Sequence, residues 1–284
     1  TLSHEAGRRL HIKEKAPVML LTGMAAGFGG LFQTPLAAVF FAMEVIVAGY
    51  VEYDALLPAM IASYTASTTS HLLGLEKFSV DVQEIWKIGD VKNAGILVIL
   101  GLAFGLTGRC LSVLLQKTKK LAGDKISNPL VRIGCLAIPL AVILLALHGA
   151  RYSGLGTNLI TASFTGDTIY RYDWILKLLL TIATLAIGFQ GGEVTPLFSI
   201  GASLGVVLGS VFGISPVICA SLGYAAVFGS ATNTVIAPIL IGLEVFGSQN
   251  AIPLVVVCLL AYMVNGNHSI YGAQVKALCS FEEK

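Results

Sequence analysis

Long apolar runs broken by proline and capping residues constrain this chain more than any other feature. The clearest cover residues 16–49, 55–73, 94–115 and 130–147; others cover 174–189, 197–212, 216–246 and 251–264. A helix needs roughly 20 apolar residues to cross a bilayer, and several of these runs reach or approach that length. Charged residues make up only 12% of the chain, against about 25% in an ordinary globular domain. The alternating ten-residue segments of a transmembrane barrel are absent. The sequence therefore predicts an all-α polytopic membrane protein.

Formal net charge is +2, so nothing points to a nucleic-acid partner. Basic residues gather at Arg8, Arg9, Lys13 and Lys15, and again at Lys117, Lys119, Lys120 and Lys125. The positive-inside rule places both groups on the cytoplasmic side. Cys110, Cys135, Cys219, Cys258 and Cys279 lack CxxC spacing and read as small core residues. His4, His11, His71, His148 and His268 have no ligand spacing, so no metal and no cofactor are expected. Asp81, Glu84, Lys87, Asp90 and Lys92 read as a solvated linker, which divides the chain into a first membrane repeat over 1–92 and a second over 93–284.

The apolar runs are not simple rods. Thr34-Pro35, Asn128-Pro129, Thr195-Pro196 and Ser215-Pro216 each join a capping side chain to a proline suited to the first helical position. Two of these predicted helix starts, at Thr34 and Thr195, lie inside apolar stretches. Polar backbone at membrane depth is tolerated only where protein buries it or where it lines a cavity. Residues 23–45, "GMAAGFGGLFQTPLAAVFFAMEV", also align without gaps on 223–245, "GYAAVFGSATNTVIAPILIGLEV", with nine identities that include Thr34, Glu44 and Val45. Secondary transporters are often built from such repeats, with substrate bound where broken helices meet.

Those two segments, with "GFQGGEVTPLFSIGASLG" and "NHSIYGAQ", resemble in order and spacing the CLC family of anion channels and anion/proton antiporters. The resemblance covers essentially the whole chain. Where the family commonly has Gly-Gly-Ile-Phe-Ala-Pro, residues 191–196 read Gly-Gly-Glu-Val-Thr-Pro, a variant similar to the fluoride-selective branch. The resemblance implies an inverted-repeat fold with broken helices, a homodimer with one anion pathway per subunit, and fluoride export in exchange for protons. It further implies an anion site at Gly192, Glu193, Val194 and Thr195, with backbone N–H donors at Glu193 and Val194 and the hydroxyl of Tyr271 completing it. A helix N-terminus, with free donors and about half a positive charge, suits an anion.

Glu193 is expected to be the proton-coupling carboxylate as well. Burial disfavours its charge while helix-start donors favour it, and an anion beside it would favour protonation. Thr195 is expected to cap the helix and to turn its hydroxyl toward the ion path. Glu44 and Glu244 read as structural carboxylates near helix ends.

The family's serine loop and gating glutamate lie upstream of "EAGRR" and are absent here, so the fold is expected to be N-terminally incomplete. Val45 stands where many antiporters carry an inner proton-relay glutamate. The alternatives are a chloride channel or chloride/proton antiporter, and an inactive truncated membrane protein. A membrane-embedded enzyme with Glu193 as base has no HExxH, GxSxG or carboxylate pair to support it. The expected location is the plasma or inner membrane.

Overall fold

The computed structural model describes Glu5, residues 16–87 and residues 89–276. The basic residues Arg8, Arg9, Lys13 and Lys15, with His4, His11 and Cys279, lie outside the described residues. The helices are α1 (Ala16–Phe32), α2 (Pro35–Val45), α3 (Leu56–Leu72), α4 (Val91–Lys125), α5 (Pro129–Ala146), α6 (Thr157–Thr165), α7 (Asp173–Ile187), α8 (Val194–Phe212), α9 (Pro216–Thr232), α10 (Ile236–Phe246) and α11 (Ala251–Asn265). A single parallel pairing of two residues each, Val47–Ala48 with Val275–Lys276, is the extended structure among the described residues.

Among the described residues α4, α5 and α8 are long and apolar enough to cross a membrane. The side chains of α5 make the environment plain: Leu130, Ile138, Val142 and Leu145 are all exposed. In water so continuous an apolar face would be an association surface. In hydrocarbon it costs nothing.

Two of the long apolar runs are broken where expected. The first separates into α1 and α2 at Gln33, and the run over 216–246 separates into α9 and α10 at Asn233. Both break residues have left-handed backbone, φ 52° at Gln33 and 58° at Asn233, and they stand 200 positions apart in the sequence. The internal alignment of 23–45 on 223–245 thus carries the same local geometry as well as shared residues.

The chain forms two compact units. The first contains α1, α2, α3, α10 and the short β pair. Leu21, Ala25, Val39, Ala42, Met43, Ala55 and Ala59 make its core. Small residues let its helices approach closely: a Cβ on Gly29 would lie 2.2 Å from Ser63 Oγ, and that hydroxyl donates to the Pro35 carbonyl at 2.9 Å.

The α2–α10 pair in this unit is closed by carboxylates. The N–H groups of Leu36 and Ala37, in the first turn of α2, donate to Glu244 at 3.2 and 2.8 Å. Those of Ile236 and Ala237, in the first turn of α10, donate to Glu44 at 3.1 and 3.3 Å. Each acid sits near the C-terminal end of its own helix, so the two helices run antiparallel. Thr34 occupies the N-cap position of α2, but its hydroxyl makes no capping bond and is buried without a partner. A carboxylate can accept from several N–H groups at once, and it has taken the role expected of the threonine.

The second unit contains α4–α9 and α11. Its tightest seam is α8 against α9. Gly201, Gly205 and Gly209 form a stripe along α8, and a Cβ at Gly201 or Gly205 would meet the carbonyl oxygen of Gly223 or Cys219 at 2.1 or 2.2 Å. Such small-residue stripes let membrane helices approach backbone to backbone. Phe198 stacks on Tyr224 across the same seam, with centroids 4.0 Å apart. The charged linker residues Glu84, Lys87, Asp90 and Lys92 are exposed. The linker is pinned by Asn250, which accepts from Trp86 N–H and donates to the Glu84 carbonyl, both at 2.8 Å.

Candidate functional site

The start of α8 lies wholly within the second unit. Gly191 and Gly192 are exposed and non-helical; Glu193 is the N-cap, and Val194 and Thr195 open the helix, all three half-buried. The expected cap at Thr195 is corrected here. Thr195 is the second helical residue and Pro196 the third, because the helix begins one residue before the Thr-Pro step. Proline is tolerated anywhere in a first turn, where its missing N–H has no intrahelical partner in any case. Asn128 does cap α5 as its sequence predicts, accepting from Leu130 N–H at 3.0 Å, whereas the Ser215 hydroxyl has no hydrogen-bond partner.

Glu193 does not cap α8 with its own side chain, and among the described residues no other side chain accepts from the first N–H groups of the helix. That sets it apart from α2 and α10, whose first-turn donors are taken by Glu244 and Glu44. The carboxylate best placed to close α8 belongs to Glu193, and it turns to Lys119 instead, with Nζ 2.9 Å from Oε1. Lys119 stands near the C-terminal end of α4, 74 residues away in sequence. The outcome is a helix start whose leading N–H groups remain free to receive an anion, beside a paired acid and base.

Tyr271 lies in the segment after α11. Its backbone is fixed by its N–H donating to Ser269 Oγ at 3.1 Å and by Ile270 N–H donating to the Ala231 carbonyl at 2.9 Å. Gln116 of α4 also donates to the Ser269 carbonyl, so the helix that carries Lys119 holds the tyrosine segment too. The charge of Glu193 acts on the Tyr271 phenol, a group that is a neutral donor at ordinary pH. His268 does not join the site; its Nδ1 bonds the Asn265 carbonyl at 2.9 Å and closes the end of α11.

The structure therefore places Glu193, Val194 and Thr195 together at the start of α8, with Gly192 one step outside the helix and Tyr271 where the charge of Glu193 acts on its phenol. It adds Lys119, which sequence reasoning took only as a marker of the cytoplasmic side. No spacing rule links a lysine to an acid 74 residues on. A second missed residue, Lys177, had a visible signal: a lone lysine in the apolar run "DWILKLLL". It is 1% exposed, and its Nζ donates to the carbonyls of Tyr152 and Gly154 at 3.0 and 2.7 Å.

Residues 2–266 match the family described as "Voltage gated chloride channel". The "Chloride/fluoride channel protein" of Pseudomonas syringae pv. tomato is 34% identical over 268 residues, covering 92% of this chain and 59% of that protein. The "H(+)/Cl(-) exchange transporter ClcA" of Yersinia pestis is 25% identical over 93% of this chain and 59% of its own length. Among solved structures, the "Crystal structure of a CLC-type fluoride/proton antiporter" superposes with a TM-score of 0.95 at 49% identity, over 98% of this chain and 70% of that one. A eukaryotic CLC transporter shares the fold, with a TM-score of 0.67 at 20% identity. This chain thus spans a little under three fifths of both curated relatives named here.

Proposed function

Since this chain belongs to the voltage-gated chloride channel family, an integral membrane family, we propose that it serves anion transport, as a fluoride/proton antiporter. The observation that carries the reading is the uncapped start of α8, with Glu193 held by Lys119 and Tyr271 alongside. The likeness to a fluoride/proton antiporter and the Gly-Gly-Glu-Val-Thr-Pro sequence support fluoride as the substrate. A second reading, a channel that also passes chloride, is favoured by the likeness to the chloride/fluoride channel protein of Pseudomonas.

Fluoride is small and strongly hydrated, so its site must replace water with closely set donors. The N–H groups of Val194 and Thr195 and the hydroxyl of Tyr271 supply them. An ionised Glu193 would repel the anion by about 4 kcal/mol at 4 Å with an effective dielectric near 20. While the carboxylate is ionised, its pair with Lys119 is neutral overall. A proton taken up by Glu193 cancels the acid's charge and leaves the ammonium of Lys119 uncompensated beside the helix start. Protonation and anion binding then favour each other, and linkage makes that coupling reciprocal. This is the charge logic of proton-coupled anion exchange.

The proposed setting is a homodimer in the plasma or inner membrane, each subunit with its own pathway, built from a first repeat over 1–92 and a second over 93–284. The test is flux from liposomes containing the full-length protein, read with a fluoride electrode and a proton-sensitive dye. Fluoride efflux with proton counter-movement is expected. Faster chloride than fluoride movement overturns the substrate, and fluoride flux without proton movement overturns the exchange.

A further inference from the structure

Lys177 is a cation without a counter-ion. It lies in α7 at 1% exposure, and among the described residues no carboxylate pairs with it. The acid one turn before it on the same helix, Asp173, is already committed to Arg151, the Tyr152 hydroxyl and Tyr170 N–H. A buried ammonium is costly unless an opposite charge compensates. What it does with its donors is specific: Nζ gives one each to the carbonyls of Tyr152 and Gly154, at 3.0 and 2.7 Å.

Those carbonyls belong to the non-helical segment 152–156, which leads into α6. Its last two residues meet α8 on either side of that helix's first turn. Leu155 packs at Gly192, just before the helix, where a Cβ built on the glycine would lie 3.7 Å from Leu155 Cδ2. Gly156 packs beyond the first turn, where a Cβ on it would lie 2.6 Å from Ser199 Oγ and 2.7 Å from Cε of Lys177 itself. Lysine, segment and α8 are thus in one continuous contact.

Little else supports the helix start on this side. Gly191, Gly192 and Pro196 line a cavity of about 210 Å³ whose wall also includes Ser153, Gly154 and Leu155. The close packing that immobilises most of a protein interior is missing around such a void. Without Lys177 the segment has a hollow to relax into, and Leu155 leaves Gly192.

We infer that Lys177 is a positioning residue for the anion site: by clamping segment 152–156 it braces the first turn of α8 on both sides and fixes where the N–H groups of Val194 and Thr195 point. The inference rests on the anion-transport reading. Lys177 acts through backbone and packing, without meeting the ion. Donors that must replace the water of a small ion tolerate little misplacement, so the brace sets fluoride affinity.

Fluoride efflux is measured against internal fluoride in liposomes carrying the full-length protein, its Lys177→Met and Leu155→Ala variants, and the double variant. Lys177→Met is expected to raise half-saturating fluoride about tenfold, the scale on which misplaced groups act. Leu155→Ala, which keeps the ammonium, is expected to raise it several-fold. The double variant should match Lys177→Met, because both changes break the same brace. A Lys177→Met variant that lowers only the maximal rate, leaving half-saturation where it was, overturns the proposal. An effect of Lys177→Met with none of Leu155→Ala also overturns it, since the charge would then act on the ion directly, and so does full additivity in the double variant. If Lys177→Met does not fold, Leu155→Ala, at a side chain 47% exposed, decides on half-saturation alone. Absence of fluoride flux from the unmutated protein overturns the transport reading instead.

Discussion

Glu44 caps the helix that carries Glu244, and Glu244 caps the helix that carries Glu44. The two acids occupy equivalent positions in the repeated segments, so the exchange is the local mark of the internal symmetry. It also explains why α2 and α10 can begin among apolar neighbours. Their first N–H groups, which lack intrahelical partners, are all but consumed by a carboxylate from the antiparallel neighbour.

Replacing either acid by alanine leaves buried donors unpaired. Glu44→Ala and Glu244→Ala are each expected to cost about 1–3 kcal/mol, seen as a lower midpoint in thermal unfolding of the detergent-solubilised protein. The glutamine variants should lose less, because an amide oxygen still accepts. Alanine variants with unchanged midpoints would show that water or backbone replaces the caps.

At Gly201 and Gly205 the α8–α9 seam admits no side chain. Gly201→Ala places a Cβ 2.1 Å from the Gly223 carbonyl oxygen, and the helices must separate to accommodate it. Overpacking typically costs about 1–3 kcal/mol, and more is expected where both neighbours are backbone. Loss of monodisperse protein on size-exclusion chromatography is the readout; the exposed Gly134, which has open space around it, is the control.

Glu193→Gln removes the titrating acid and keeps the helix start. Fluoride binding should survive in part while proton counter-movement is lost or weakened. Wild-type rate and stoichiometry in this variant would return Glu193 to the role of a helix-end carboxylate.

Lys119→Met tests the charge logic from the other side. With the ammonium gone, the site carries one positive charge less in either protonation state of Glu193, so fluoride affinity should fall throughout the pH range, and Lys119→Arg should restore it. The carboxylate pairs with Lys119 of α4, and its charge acts on the Tyr271 phenol. Unchanged fluoride affinity in the Met variant would reduce the pair to a surface salt bridge.

Tyr271→Phe deletes one donor to the anion. A hydrogen bond to a charged group contributes about 1.5–3 kcal/mol, so calorimetric titration should show fluoride binding weakened by roughly tenfold to a hundredfold. Equal affinity would leave Tyr271 as an interfacial aromatic.

What the sequence determined by itself was whatever short-range chemistry encodes. Apolar runs set the helices and the membrane, Asn128-Pro129 set the start of α5, and the 200-residue self-similarity announced the paired breaks at Gln33 and Asn233. Family motifs singled out residues 192–195 and Tyr271 ahead of any geometry. Only tertiary structure decided which groups answer one another. Thr34 and Ser215 look like caps in isolation, yet their hydroxyls go unused, and at α2 a glutamate 207 residues beyond Ala37 supplies the acceptors in place of Thr34. Glu193 looks as though it should close its own helix, yet Lys119 draws it away and leaves the N–H groups open. Lys177 was visible as a lone lysine in an apolar run, but only packing decided that it is buried while Arg151 and Tyr152 occupy Asp173. The physical reason is common to all of these: a helix start fixes where donors are in short supply, but the charges that meet them arrive from distant segments, brought there by packing.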